Sequence, residues 1–281
     1  MQLYAINTGF FKLDGGAMFG VVPKSIWNKL NPADDNNLCN WAMRSLLVQI
    51  DNRLILIDNG LGDKQDAKFF SHYFLNGDDT LEKSLKQNGF SLDDVTDVFL
   101  THLHFDHCGG SIRYNKDRTG YETAFKNATY WSNAEHWHWA TQPNSREKAS
   151  FLKENILPIQ ESGQLKFTSE GAEICPGFKV MYANGHTDGM MVPLIQYKDT
   201  TVAYMADLIA AAAHVPLAYV MGYDTRPLIT MDEKELFLNK AVAKNYVLFF
   251  EHDPIIECCN LQKTEKGIRV KDTFSLKEFT G

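Results

Sequence analysis

The stretch 101-THLHFDHCGG-110 places His102, His104, Asp106 and His107 within six positions, using three of the nine histidines in the chain. Imidazole nitrogen and carboxylate oxygen are the donors that zinc and its first-row neighbours favour. Three further stretches put a metal-capable side chain just after an apolar run. They are His186 in 178-FKVMYANGHTDG-189, Asp207 in 201-TVAYMADL-208 and His252 in 246-YVLFFEHDP-254. Any one of these alone reads as a structural histidine or a turn aspartate. Four such junctions in one chain read as a ligand set of seven. No G-x-S-x-G nucleophile motif competes with them. Cys108, directly after His107, reads as a small buried thiol. In 135-EHWHWA-140, His136 and His138 stand two apart on a predicted helix, about 200° around its axis. They therefore read as surface or pocket-rim packing rather than a ligand pair.

These donors need strands to carry them. The segment 43-MRSLLVQIDNRLILIDNG-60 reads as a hairpin turning at Asp51-Asn52. Helices are predicted at 64–75 and 80–88, the second capped by Thr80 and stopped by Gly89. The run Val98-Phe99-Leu100 forms a strand whose C-terminal end meets the histidine cluster, a place where α/β folds commonly bind ligands. One or two helices are predicted over 133–157, interrupted near Gln142-Pro143-Asn144. Short strands follow at 164–168, 173–175, 178–182, 191–197 and 200–205. A helix over 231–245 precedes a buried strand at 246–250, and two late strands lie around 255–262 and 267–272. At the N-terminus, LYAINTGFF reads as a strand, Gly15-Gly16 as a turn, and 31–40 as a polar loop. The organisation is read as one domain over residues 1–281, with an N-terminal flap over about 1–40.

Composition narrows the class. The chain has 281 residues, 44% hydrophobic and 22% charged, as in ordinary globular proteins. Its formal charge of −7 and lack of a basic stripe argue against nucleic acid as a partner. No apolar run reaches 18 residues, so no membrane span is expected. Five cysteines without a C-x-x-C pair form neither a disulfide framework nor a zinc finger. With no basic stretch and apolar core at the N-terminus, the expected compartment is the cytoplasm.

The four donor motifs resemble the metallo-β-lactamase superfamily. The matching pieces are H-x-H-x-D-H (102–107), Gly-His-Thr (185–187), Ala-Asp (206–207) and Glu-His-Asp (251–253), in the family's order. The entry 53-RLILIDNGLG-62 is similar as well. The resemblance implies an α/β (α+β) fold, a four-layer αβ/βα sandwich of two mixed sheets with the metal site at one edge. It implies two divalent ions, zinc first among them. His102, His104 and His186 would hold one, Asp106, His107 and His252 the other, and Asp207 would bridge them together with a water or hydroxide. Asp106 would also pass a proton to the leaving group.

The stretch 17-AMFGVVPKSIW-27 resembles a segment of the N-acyl-homoserine lactonase and organophosphate hydrolase branch. There it lines the substrate pocket or a dimer interface. Phe19, Phe105 and Met190 become candidates for an apolar substrate pocket, and a homodimer through the flap is among the expectations. Two departures stand out. Ala210 occupies the position where that branch carries a tyrosine, and 185-GHTDGM-190 replaces Gly-His-Thr-Pro-Gly-His. Tyr219 and Tyr223 are the candidates to stand in. The expected function is metal-dependent opening of a lactone or ester with an apolar portion, N-acyl-homoserine lactones first. A phosphotriesterase or arylesterase is the alternative, with a glyoxalase II-like thioesterase behind it. A non-catalytic metal-binding scaffold is disfavoured by the complete donor set.

Overall fold

The computed structural model describes all 281 residues. They divide into two compact units, one of residues 1–9 and 43–169, the other of 10–42 and 170–281. Strands β1 (Gln2–Asp14) and β2 (Leu38–Ile50) each pass from one unit into the other along their length.

The first unit is built on a sheet ordered β1-β2-β3-β4-β7-β8, with β3 Arg53–Ile57, β4 Asp97–Phe99, β7 Thr129–Asn133 and β8 Leu165–Thr168. The β2–β3 hairpin forms as expected, with Ile50 opposite Arg53. Asp51 takes the left-handed conformation, φ +51°, that tight hairpin turns require. From β3 to β8 the pairings are parallel. Leu54 and Leu56 of β3 join Leu47, Val98, Tyr130 and Ile156 in the unit's core, while Ile55 and Ile57 are buried as well. Burial of both faces explains why this strand reads as a continuous apolar run. The unit's helices are α3 (Ala67–Ser71), α4 (Leu81–Gln87), α5 (Phe105–Cys108), α6 (Ala134–Thr141) and α7 (Lys153–Glu161). Thr80 caps α4 by accepting from the Lys83 amide at 3.2 Å. The break expected near 142–144 separates α6 from α7. A small hairpin, β5 (Ile112–Tyr114) with β6 (Tyr121–Thr123), and β7 itself had no expectation from sequence. Strands of three to five residues are too short to show a period.

The second unit carries a sheet ordered β15-β14-β13-β12-β11-β10-β9. Its strands are β9 Glu173–Cys175, β10 Phe178–Ala183, β11 Met190–Tyr197, β12 Thr200–Tyr204, β13 Val247–Phe249, β14 Cys258–Thr264 and β15 Gly267–Phe274. Only β12 and β13 pair in parallel, joined by the crossover helix α8 (Pro227–Ala243). That helix begins four residues before the predicted one because Pro227 occupies its first position, where a missing N–H costs nothing. In the flap, Gly15-Gly16 opens the short helix α1 (Gly15–Phe19) rather than a turn. The Asp14 carboxylate accepts from the Ala17 amide at 2.8 Å, and a Cβ at Gly15 would lie 2.3 Å from the Trp27 ring. The helix α2 (Lys24–Trp27) follows, and α9 (Leu276–Thr280) closes the chain. No helix is long and apolar enough to cross a membrane.

Candidate metal centre

The four donor segments share one construction. His102, His186, Asp207 and His252 each stand three residues beyond the last residue of a strand, namely Phe99, Ala183, Tyr204 and Phe249. β4 supplies the first unit's segment; β10, β12 and β13 supply the second's.

In the first unit, backbone contacts hold the 102–109 segment on several sides. The Leu103 amide donates to His136 Nε2 at 2.8 Å, Phe105 N to the Ser150 carbonyl at 3.0 Å, and Asn59 N to the His107 carbonyl at 2.8 Å. Gly109 lies so close to Leu61 that a Cβ there would sit 2.0 Å from its carbonyl oxygen. His102 Nε2 and His104 Nδ1 turn toward each other, 3.1 Å apart. Their other nitrogens are anchored. His102 Nδ1 meets Thr101 Oγ1 at 3.0 Å, and that hydroxyl donates to Asp58 Oδ2 at 2.6 Å. His107 Nδ1 meets the same Asp58 oxygen at 3.0 Å. His104 Nε2 faces Glu147 at 3.4 Å, whose other oxygen accepts from Trp139 Nε1 and Asn144 Nδ2. Asp106, in the first turn of α5, sits 3.8 Å from His107 Nε2.

In the second unit, Asp207 presents one carboxylate oxygen to each of two histidines. Oδ2 lies 3.0 Å from His186 Nε2 and Oδ1 lies 3.1 Å from His252 Nε2. Ala206 before it is held at φ +43°, a conformation that costs a residue with a β-carbon energy. His186 Nδ1 is anchored on Asp224 Oδ1 at 2.9 Å, and His252 Nδ1 on the Ala42 carbonyl at 2.8 Å. Burial opposes charge on His186, but Asp207 and Asp224 outweigh it and hold its pKa up at about 10 in the metal-free chain.

All five histidines therefore have one nitrogen fixed by an outer oxygen and the other turned toward a neighbouring donor. Outer-shell anchoring of this kind sets the tautomer a metal ligand needs. Imidazole and carboxylate in this ratio fit zinc, and also iron, manganese or cobalt. Of the anchoring groups, Asp58, Thr101, Glu147 and Asp224 were not singled out in the sequence. Glu147 and Asp224 lie 43 and 38 residues from the histidines they hold.

The remaining candidates sort by burial. His136 is fully buried and accepts the Leu103 amide, which corrects its reading as surface or rim; His138 is exposed. The two do face apart, and the deciding factor is the polar backbone that the 102–109 turn brings under α6. Burial pushes the Cys108 thiol up to about 12, consistent with an inert side chain. Phe19 is fully buried, stacked between Trp27 and His214 at centroid distances of 5.4 and 4.6 Å. Met190 is fully buried at the start of β11, and Phe105 is nearly so, packed on Phe69 and Tyr73. The flap leaves Val21, Ile26 and Leu30 exposed. Tyr223 is exposed and Tyr219 half-buried.

The model of the metallo-β-lactamase superfamily matches residues 44–252, a span holding all seven donors. The chain belongs to the metallo-β-lactamase superfamily. Its fold is the metallo-β-lactamase fold. A probable metal-dependent hydrolase from Staphylococcus aureus superposes with TM-score 0.89 at 27% identity, covering 98% of this chain and 96% of that one. Among curated relatives, an N-acyl homoserine lactonase of Bacillus thuringiensis is 26% identical over 273 residues, covering 90% of this chain and 93% of its own. The dizinc quorum-quenching lactonase AidC shares the fold at TM-score 0.77 and 24% identity, covering 97% of this chain and 94% of its own.

Proposed function

We propose that this metal-dependent hydrolase of the metallo-β-lactamase superfamily opens a lactone or ester, with N-acyl-homoserine lactones as the first substrate class. The observation that carries the reading is the Asp207 carboxylate, with one oxygen toward His186 and the other toward His252. A carboxylate so disposed would serve as a ligand shared by two ions. We propose that the two donor sets act as one dinuclear centre, His102, His104 and His186 holding one ion and Asp106, His107 and His252 the other. Two divalent ions held there would supply a Lewis acid for the ester carbonyl and lower the pKa of a bound water toward neutrality. The residues' own part is positional and protonic. Asp58, Glu147 and Asp224 fix imidazole tautomers. Asp106 is proposed to pass a proton to the leaving alkoxide. Asp106→Asn is expected to keep metal while lowering kcat about 10²-fold, the usual scale of general acid catalysis; full kcat would dispose of the role. Phe105 is proposed to meet the apolar part of the substrate, with Phe19 and Met190 shaping that side through the residues they pack against.

The support from similarity is the lactonase activity named for relatives at about a quarter identity over most of the chain. Ala210 leaves a tyrosine donor out of that reading, and Tyr219 or Tyr223 is proposed to serve instead. The test is a panel of short- and long-chain acyl-homoserine lactones, an aryl ester and paraoxon, with chelated protein as control. Chelator-sensitive lactone opening with a chain-length preference supports the proposal. Aryl ester or paraoxon turnover with lactones inert would replace it with the esterase or phosphotriesterase reading.

A further inference from the structure

The segment Asp224–Lys234 hydrogen-bonds the His186 turn through Asp224, Thr225, Arg226 and Glu233. Asp224, 3% exposed, receives His186 Nδ1. The Thr225 amide donates to the His186 carbonyl at 3.1 Å and the Arg226 amide to the Gly185 carbonyl at 2.8 Å. Arg226 Nε donates to the Asn184 carbonyl at 3.0 Å, and its guanidinium pairs with Asp188. Glu233 accepts the amides of Asn184 and Gly185 at 2.6 and 3.0 Å. Gly185 has no room for a side chain, since a Cβ would lie 2.2 Å from Thr230 N. The next residue, Lys234, is fully buried and donates to the carbonyls of His214, Tyr219 and Pro216 at 2.7, 2.8 and 3.2 Å, fixing the loop that leads into Asp224.

These bonds tie the 184–189 turn to residues 224–233 from both its backbone and its side chains. They hold His186 with Nδ1 on Asp224 and Nε2 turned toward Asp207. We propose that Asp224 is a positioning residue for the ion at His186, and that residues 225–234 form a clamp that holds Asp224 and the 184–189 turn as one body. This rests on the metal-centre reading above and adds the element that sets its affinity at one position. His252 Nδ1, by contrast, is held by a single backbone carbonyl, that of Ala42. An outer carboxylate lost from a metal-bound histidine costs 10- to 100-fold in affinity as a general magnitude.

The test is zinc competition against a chelator with the full chain, its Asp224→Ala and Asp224→Asn variants, and Glu235→Gln as a control elsewhere on α8. The wild-type chain is expected to bind two zinc ions. Asp224→Ala should weaken one of them about 10- to 100-fold and leave the other near its wild-type value. Asp224→Asn, which keeps the shape and one acceptor, should show a smaller loss at the same ion. In zinc-loaded wild type, ring-nitrogen NMR should show a slowly exchanging His186 Nδ1–H that disappears in Asp224→Ala. Unchanged zinc affinity in both variants would overturn the proposal. So would an equal loss at both ions accompanied by a lower unfolding temperature of the metal-free variant, since that marks a folding effect. A wild-type chain that binds no zinc would overturn this proposal and the metal-centre reading together. Lactones inert alongside the predicted zinc pattern would sink only the substrate reading.

Discussion

The two units deliver their donors by opposite means. The first takes four from one six-residue segment after a single strand, and its geometry follows from a short local turn. The second takes three from the ends of three strands, and neither His186, Asp207 nor His252 has another of the seven donors within 20 residues. The local set needs little beyond its own backbone and a few props such as His136. The dispersed set needs sheet register, the parallel β12–β13 pair and the α8 clamp before any two donors meet. Motif density and structural demand therefore run in opposite directions.

The comparison is broken most sharply by removing a donor from each side. His104→Ala and Asp207→Ala are each expected to lower kcat/KM about a thousandfold or more, since several kcal/mol of charge stabilisation depends on the ions. Bound metal should fall in both, and more in Asp207→Ala because that carboxylate serves two histidines. Metal analysis beside kinetics decides it; both ions and full turnover in either variant would remove that residue from the set.

Next in size is the glycine that backs each segment. Gly109→Ala and Gly185→Ala would each push a Cβ to within about 2 Å of backbone, at Leu61 O and Thr230 N. Each should cost roughly 1–3 kcal/mol in stability, the usual range for overpacking. Thermal unfolding measures that cost. Gly185→Ala should also release zinc from the His186 side, whereas the several props of the 102–109 segment should keep its ligands closer to place.

A finer contrast lies in pH. His186 has its folded pKa raised to about 10 by Asp207 and Asp224, above an unfolded value near 6.5. Protonated His186 therefore stabilises the metal-free chain fully below about 6.5, and that contribution is lost as pH rises through about 10. Chelated protein should show a falling Tm from pH 7 to 10, with amide exchange rising first in β10 and β11. A zinc-loaded sample should lack that decline, because the ion replaces the proton. A flat chelated profile would count against the Asp207–His186–Asp224 arrangement.

The smallest expected effect belongs to the exposed member of the histidine pair on α6. His136→Ala should destabilise the first unit by about 1–3 kcal/mol, the cost of leaving the buried Leu103 amide without an acceptor. His138→Ala, at an exposed position, should stay within about 0.5 kcal/mol. Equal effects would mean that His136 is not holding the ligand turn.

The sequence alone carried several strands, the Asp51-Asn52 hairpin and the Thr80 cap, because each of these is written within a few neighbouring residues. It also carried the family, since ordered short motifs survive at about a quarter identity. It misjudged His136 and passed over Asp58, Glu147 and Asp224. A side chain's burial and its partner 30 or more residues away depend on how strands and helices pack, which local pattern does not encode. Only the tertiary structure decided which ring nitrogen of each histidine is anchored and which is presented. That choice is made by an outer oxygen, and those oxygens come from turns, loops and a backbone carbonyl whose positions the sheets and α8 impose.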